Sequence, residues 1–254
     1  ENEIKILFHS WAAQTHVKNN KIDSLIILTK SGFQALKPQL VVDATGDADI
    51  AHFAGVPTKK GRESTGTLQA MTVMYHIAGV ELNAVVNYVK DHPDQFVPWS
   101  SKEKSELITV AGFYDLAKQA QKAGKFPPEI KNGIFFYTTC RDSGTVELNT
   151  THIPGLDGTK SEDLTTGECI GRKQAWQVLQ FLRENVPGFE KAYISSTAPQ
   201  VGVRETRRVM GEYIFSAQDV VKGQKFNDAV ACGSYPVDLH DEDTGGSFVS
   251  GGPP

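Results

Sequence analysis

Apolar and polar positions alternate along Ile4, Ile6 and Phe8 and again through Trp11–Val17, the two-residue period of a strand with one buried face. Lys18-Asn19-Asn20-Lys21 reads as a hairpin turn, Ile22–Thr29 carries the apolar run Leu25-Ile26-Ile27-Leu28, and Lys30-Ser31-Gly32 turns again before Phe33–Leu36. The pattern predicts a β-meander. Past Pro38 it changes: Leu40-Val41-Val42-Asp43-Ala44 is nearly continuous in apolar residues, as in a strand buried on both faces of a parallel sheet. Thr45-Gly46-Asp47 ends that run, and Ala48–Ala54 predicts a short helix with Asp47 as N-cap and Gly55 just beyond its end.

From about Gly61 the periods mix. Leu68–Ile77 predicts a strand, and Glu81–Lys90 a helix with Leu82, Val85, Val86 and Val89 on one face. Lys104–Ala123 reads as a second helix carrying Leu107, Ile108, Ala111 and Tyr114, stopped by Gly124 and Pro127-Pro128. Ile134–Thr139 and Thr145–Thr151 are strand-like on either side of Arg141-Asp142-Ser143-Gly144. Ser161 opens the longest helix, with Ala175, Val178, Leu179, Leu182 and Val186 on its apolar face and Pro187-Gly188 at its end; Ala192–Val203 returns as a strand. Strands and helices in this irregular order predict an α+β domain.

Composition narrows the classes. The 254 residues carry 26 basic and 30 acidic side chains, a net charge of −4, so no overall attraction to nucleic acid or an anionic membrane is expected. No apolar run approaches the roughly 20 residues that span a bilayer. Cys140, Cys169 and Cys232 lie far apart, which excludes a disulfide framework and a C-x-x-C zinc or redox site. Scattered thiols suit a reducing compartment, so a cytoplasmic location is the expectation. The alternation begins at once after Glu1-Asn2-Glu3, and the last residues are Gly-rich; a piece of a longer protein is expected.

Three stretches could carry chemistry. A strand feeding Thr45-Gly46-Asp47 and a helix start makes an anion-friendly edge, and Gly46 allows close approach because it has no Cβ. The plainer reading is a tight connection with a helix cap, and Asp47 with Asp49 fits cap and solvated face better than a metal pair. Arg204-Glu205-Thr206-Arg207-Arg208 gathers three arginines in five residues. Without interleaved aromatics it argues against nucleic acid; a solvated or internally paired face and a bidentate carboxylate anchor both stay open. Asp238-Leu239-His240-Asp241-Glu242-Asp243 sets one imidazole among four carboxylates. It reads as an acidic surface turn or a proton shuttle, and it lacks the second His that zinc would need. His52, His76 and His152 show no partner pattern, no Ser-His-Asp order is visible, and no metal site is assigned.

Val41-Val42-Asp43-Ala44-Thr45-Gly46-Asp47-Ala48-Asp49 followed by Ala54-Gly55-Val56-Pro57, Gln69-Ala70-Met71-Thr72-Val73-Met74, and Gly202-Val203-Arg204-Glu205-Thr206-Arg207-Arg208 continuing to Gly211-Glu212-Tyr213 and Tyr235-Pro236-Val237-Asp238-Leu239-His240 carry a resemblance. In order and spacing they resemble the FAD-dependent oxidoreductases of the glutathione-reductase-like superfamily, in their bacterial branch. The resemblance implies α/β plus α+β: a partial, Rossmann-like FAD-binding domain (residues 1–60), an inserted α+β substrate or cap domain (61–203) and a return segment (204–254). The family's Gly-x-Gly-x-x-Gly unit and its later flavin-closing Gly-rich segment are not in these 254 residues. The resemblance further implies that Ala44, Thr45, Gly46 and Asp47 line the dinucleotide, and that Arg204, Glu205, Asp238 and His240 face the flavin and substrate. The implied function is a fragment of an enzyme passing a hydride between FAD and a small organic molecule, with a carboxylate if an arginine anchors it. FAD is expected in the full-length protein and not in this piece, which is expected to be inactive. The partner is a small-molecule substrate, not nucleic acid or membrane. The alternatives are a ligand-binding cap domain without catalysis and a structural or interaction domain.

Overall fold

The computed structural model describes residues 4–97, 100, 108–131, 133–138 and 143–233, together with the backbone of 237–239 and 247–249. The first alternating stretch becomes a three-stranded antiparallel meander of β1 (Ser10–Lys18), β2 (Lys21–Thr29) and β3 (Gly32–Leu36) in that order. Its first turn is as read. Asn19 and Asn20 both take left-handed backbone, φ 51° and 57°, the primed turn that matches the twist of the paired strands and that asparagine tolerates. Ile4–Phe8, by contrast, lies outside any strand.

The segment Leu40–Ala44 is also not a strand, which corrects the reading of a doubly buried parallel strand. Leu40 is 80% and Val42 79% exposed. A parallel strand needs a hydrogen-bonded neighbour and a covering layer on each face, and the described residues supply neither beside this segment. The short helix α1 (Asp49–Phe53) follows, then β4 (Thr58–Lys60).

The chain falls into two compact units, residues 1–66 with 205–216, and residues 67–204 with 217–254. The sequence limits were 60/61 and 203/204. The first unit regains a strand after the long excursion because β10 (Arg207–Val209) pairs antiparallel with β4, Arg207 opposite Lys60 and Val209 opposite Thr58. The segment from Ala217 onward groups with the second unit; it holds α5 (Ala217–Lys222) and the antiparallel pair of β11 (Val237–Leu239) and β12 (Ser247–Val249).

The second unit is an α+β layer pair. Five strands, β5 (Tyr75–Ala78), β6 (Thr109–Gly112), β7 (Ile134–Tyr137), β8 (Val146–Leu148) and β9 (Tyr193–Thr197), form one sheet in the order β6-β7-β8-β5-β9 with antiparallel neighbours. The apolar face of the sheet (Tyr75, Ile77, Val110, Phe136, Val146, Leu148) shares one core with α2 (Leu82–Asp91), α3 (Tyr114–Lys122) and α4 (Ser161–Asn185). The hairpin β7–β8 and the helices α2 and α4 follow the sequence reading.

Two expectations fail here. Leu68–Ile77 is a strand only from Tyr75; before it, Met71 and Thr72 make single bridges to Ile153 and Gly202. Lys104–Ala123 is not one helix: β6 is followed by α3, and Phe113 between them turns at φ 62°. The consecutive β-branched residues Ile108-Thr109-Val110 favour a strand, and Phe113 is held fully buried against Phe96 at 4.8 Å between ring centroids. Gly112 makes that junction possible, since a Cβ there would meet the Gln95 carbonyl at 2.3 Å.

Candidate functional site

The turn expected to touch the dinucleotide is organised by Asp43, a residue the sequence reading passed over. The Thr45 N–H and hydroxyl both donate to Asp43 Oδ1, at 3.0 and 2.8 Å, and the Ala51 N–H donates to Oδ2 at 2.9 Å. Partial burial by itself would push the Asp43 carboxyl up. The bonds from Ala51, from Thr45 and from the Ile50 N–H outweigh it and hold the carboxyl below its ordinary value. The signal was available: Asp, any residue, Thr is an Asx turn, and the chain repeats it at Asp157-Gly158-Thr159, where the Thr159 N–H and hydroxyl donate to Asp157 at 2.9 and 2.7 Å.

Asp47 is not the N-cap of α1. Ala48 occupies that position in left-handed backbone and no side chain of the cap residue bonds back. The Thr45 hydroxyl instead accepts the Asp49 N–H at 3.0 Å, so Thr45 and Asp43 together satisfy the donors at the helix start. Asp47 is drawn elsewhere: the buried Thr206 hydroxyl donates to its Oδ1 at 2.6 Å.

The arginine cluster splits by role. Arg207, mostly buried, donates to Asp49 Oδ1 at 2.7 Å and to the Asp47 carbonyl at 3.2 Å. Arg208 donates to the Gly61 carbonyl at 2.6 Å and pairs with Glu205. These two arginines therefore fasten β10 to α1 and to the chain after β4. Arg204 is exposed and lies on the other side of the unit boundary from Glu205. Asp238 sits on β11 opposite Phe248; His240 lies outside the described residues. Of the expected site residues, the structure brings together Thr45 and Asp47 with Thr206 and Arg207 through α1.

The fit to a dinucleotide is divided. Ala44, Thr45 and Gly46 are exposed, Gly46 has φ +83°, and a Cβ there would meet nothing within 4 Å. That edge is open to close approach by a flat or neutral group. A pyrophosphate needs several unclaimed N–H donors, and those of Asp49, Ile50 and Ala51 are already bonded to Thr45 and Asp43.

A family model described as FAD dependent oxidoreductase matches residues 1–253. The chain belongs to that family. FAD is accordingly the cofactor of the family, and the mixed α/β chain with its several antiparallel sheets is consistent with an FAD-binding fold. No curated protein matches the chain significantly. A solved structure of the flavin-dependent brominase Bmp2, a triple mutant, aligns at 13% identity with a TM-score of 0.39, over 79% of this chain and 40% of that one. The chain thus spans well under two thirds of that protein's length, and a likeness so loose carries no argument about this chain. No helix among the described residues is long and apolar enough to cross a membrane.

Proposed function

We propose that this chain is part of a flavoenzyme that passes a hydride between FAD and a small organic molecule, and that residues 67–204 are its inserted substrate domain. Family membership supports the flavin chemistry. The single observation that carries the division of labour is topological: the first unit is interrupted after Gly66 and resumes at Glu205 through the β4–β10 pair, while the intervening residues build their own sheet, helices and core.

In this reading FAD supplies the hydride acceptor and the chain supplies contacts. Ala44, Thr45 and Gly46 lie along a neutral edge of the dinucleotide, and Asp47 holds that turn in shape through Thr206. Because the donors at the start of α1 are already used, the pyrophosphate is held by residues other than these. The chain by itself therefore keeps no FAD through purification. A flavin absorption band in the purified chain, surviving gel filtration, would overturn that expectation.

Arg204 is the carboxylate anchor in this proposal, with Glu205, Asp238 and His240 as the remaining candidates facing substrate. The test is anaerobic reduction of the FAD-loaded full-length protein by a panel of small carboxylate-bearing alcohols and amines. Loss of one charged hydrogen bond is worth about 1.5–3 kcal/mol, so Arg204→Ala lowers kcat/KM by roughly 10- to 150-fold. Arg208→Ala, which removes a fastening to Gly61 and Glu205, lowers stability and leaves kcat/KM nearly unchanged. Equal, small effects of the two changes would remove the anchor, and no flavin reduction by any member of the panel would remove the carboxylate.

A further inference from the structure

One row of polar side chains crosses the second unit's sheet on the face opposite its core. Register pairs Tyr137 on β7 with Glu147 on β8, Glu147 with His76 on β5, and His76 with Ser196 on β9. Their strand neighbours Phe136, Val146, Leu148, Tyr75 and Ile77 point into the core, so the two-residue period places the row on the other side. His76 Nδ1 lies 2.8 Å from Ser196 Oγ, and Nε2 lies 3.5 Å from Glu147 Oε2. The His76 side chain is 43% exposed and Ser196 is exposed, while Glu147 is more sheltered at 21%. The other titratable groups on the strands of this sheet are Tyr137, Tyr193 (opposite Ala78) and the buried Tyr75.

We propose that Ser196, His76 and Glu147 form an acid–base site that takes the exchangeable proton of a small alcohol or amine, entering at Ser196 and resting on His76. The proposal rests on the oxidoreductase reading above and adds to it where the substrate's proton goes. An ionised carboxylate only accepts hydrogen bonds, so Glu147 selects the neutral imidazole that carries its proton on Nε2. Nδ1 is then the acceptor of the Ser196 hydroxyl, whose remaining lone pairs face solvent. Tyr137 completes the row. Burial raises its hydroxyl above the ordinary value, and a hydrogen bond to Glu147 and that carboxylate's charge raise it further, so it stays a donor toward Glu147.

The balance is simple. Oxidation of a carbinol or amine breaks one C–H and one O–H or N–H bond; FAD, when bound, would supply the acceptor for the hydride and its electron pair, and the proton is left to the chain's own residues. It moves onto Ser196 Oγ as the serine's own proton moves to His76 Nδ1, and the imidazolium so formed faces the Glu147 charge. Ser196 and His76 handle the proton, and Glu147 is a positioning residue.

The first arm of the test needs no flavin. In the ¹⁵N-labelled chain, with His76 assigned through its loss in His76→Gln, neutral His76 shows one tautomer protonated on Nε2. Glu147→Ala gives a mixture, and Glu147→Gln, which keeps an accepting oxygen, restores the single tautomer. An unchanged tautomer in Glu147→Ala overturns the proposal. The second arm uses the FAD-loaded full-length protein with an alcohol or amine that reduces it. A general base contributes about 100- to 10,000-fold. His76→Gln slows flavin reduction within that range and abolishes the fall in rate on the acid side of the pH profile, whereas Ser196→Ala slows it but keeps that fall. Wild-type rates, or an intact acid-side fall, in His76→Gln overturn the proposal while leaving the oxidoreductase reading in place. A wild-type flavin that no alcohol or amine reduces sinks that reading and this one together, whatever the tautomer.

Discussion

Each of the two units is held by a different kind of internal force. In the second, Phe113, Phe136 and Phe189 are fully buried, Phe113 and Phe136 stack with centroids 6.3 Å apart, and Phe136 meets Phe189 edge-on at 5.7 Å. In the first, Ile4, Phe8, Trp11, Phe33, Leu40 and Val42 are all exposed. What fixes it is a polar frame: Asp43 at the start of α1, Asp47 with Thr206, and Arg207 and Arg208 tying down β10. An apolar stripe becomes a core only where the chain supplies a second layer to cover it. The second unit supplies both layers. The first has the stripe, but among the described residues only Ile27 and Ile50 of its apolar side chains are buried.

The largest effect should therefore come from emptying the second unit's core. Phe136→Ala removes a fully buried ring that packs against Phe113 and Phe189, and such truncations cost about 3–5 kcal/mol. Phe33→Ala, at a position 72% exposed, changes stability by no more than about 0.5 kcal/mol. Chemical denaturation of both variants measures the contrast. A cost at Phe33 approaching that at Phe136 would mean the meander's apolar face is covered in solution, by a second copy or by the rest of the protein.

Legibility in the sequence follows the same division. The meander, its asparagine turn, α2, α4 and the β7–β8 hairpin were readable because each depends on local period and turn chemistry. Leu40–Ala44 was misread because its apolar run reports what the segment would be buried by, not whether those neighbours are at hand. Lys104–Ala123 was misread because Leu107, Ile108, Ala111 and Tyr114 fit a helical period, while the aromatic cluster around Phe113 decided for a strand and a sharp turn. The polar row Tyr137, Glu147, His76, Ser196 was invisible for a further reason. Its members are separated by up to 120 positions in the chain and meet only through strand order, which no local pattern encodes; the one hint was a single polar residue inside each of the short buried strands β5 and β8.

A subtler core prediction sits on α4. Gly171 faces the smaller apolar cluster of Met71, Val73, Ile153 and Val201, and a Cβ there would meet Val73 Cγ2 at 2.3 Å and its Cβ at 3.0 Å. Alanine is the better helix former by about 1 kcal/mol. Overpacking a filled site typically costs about 1–3 kcal/mol, and the contact is with the stiff, branched root of Val73 rather than a flexible tip, so packing wins. Gly171→Ala lowers the melting temperature, and the double change with Val73→Ala recovers part of the loss. A stabilised Gly171→Ala would show that the segment before β5 yields easily, and the second unit would then be less tightly built than its main core.

The smallest effect belongs to the polar frame and depends on pH. Asp43 has its folded-state value depressed below the ordinary 3.8 by the bonds from Ala51, Thr45 and Ile50. A depressed carboxyl binds protons less readily folded than unfolded, so it contributes stability that is fully present above about pH 4 and fades as the pH falls through the lowered value. The loss is confined to the first unit, because Asp43 bonds only to its own turn and α1. Hydrogen exchange at the Ala51 amide, corrected for its intrinsic pH dependence, reads this directly: protection is constant from pH 7 to about pH 5 and drops below the ordinary carboxyl range. Asp43→Asn keeps one accepting oxygen but no charge, so its protection is lower at neutral pH and does not fall with acid. The amides of β5 and α4 in the second unit, whose hold is apolar burial, keep their protection through the same window. Equal acid loss in both units would mean that one cooperative transition joins them, and the contrast between a polar frame and an apolar core would no longer describe how the chain is held.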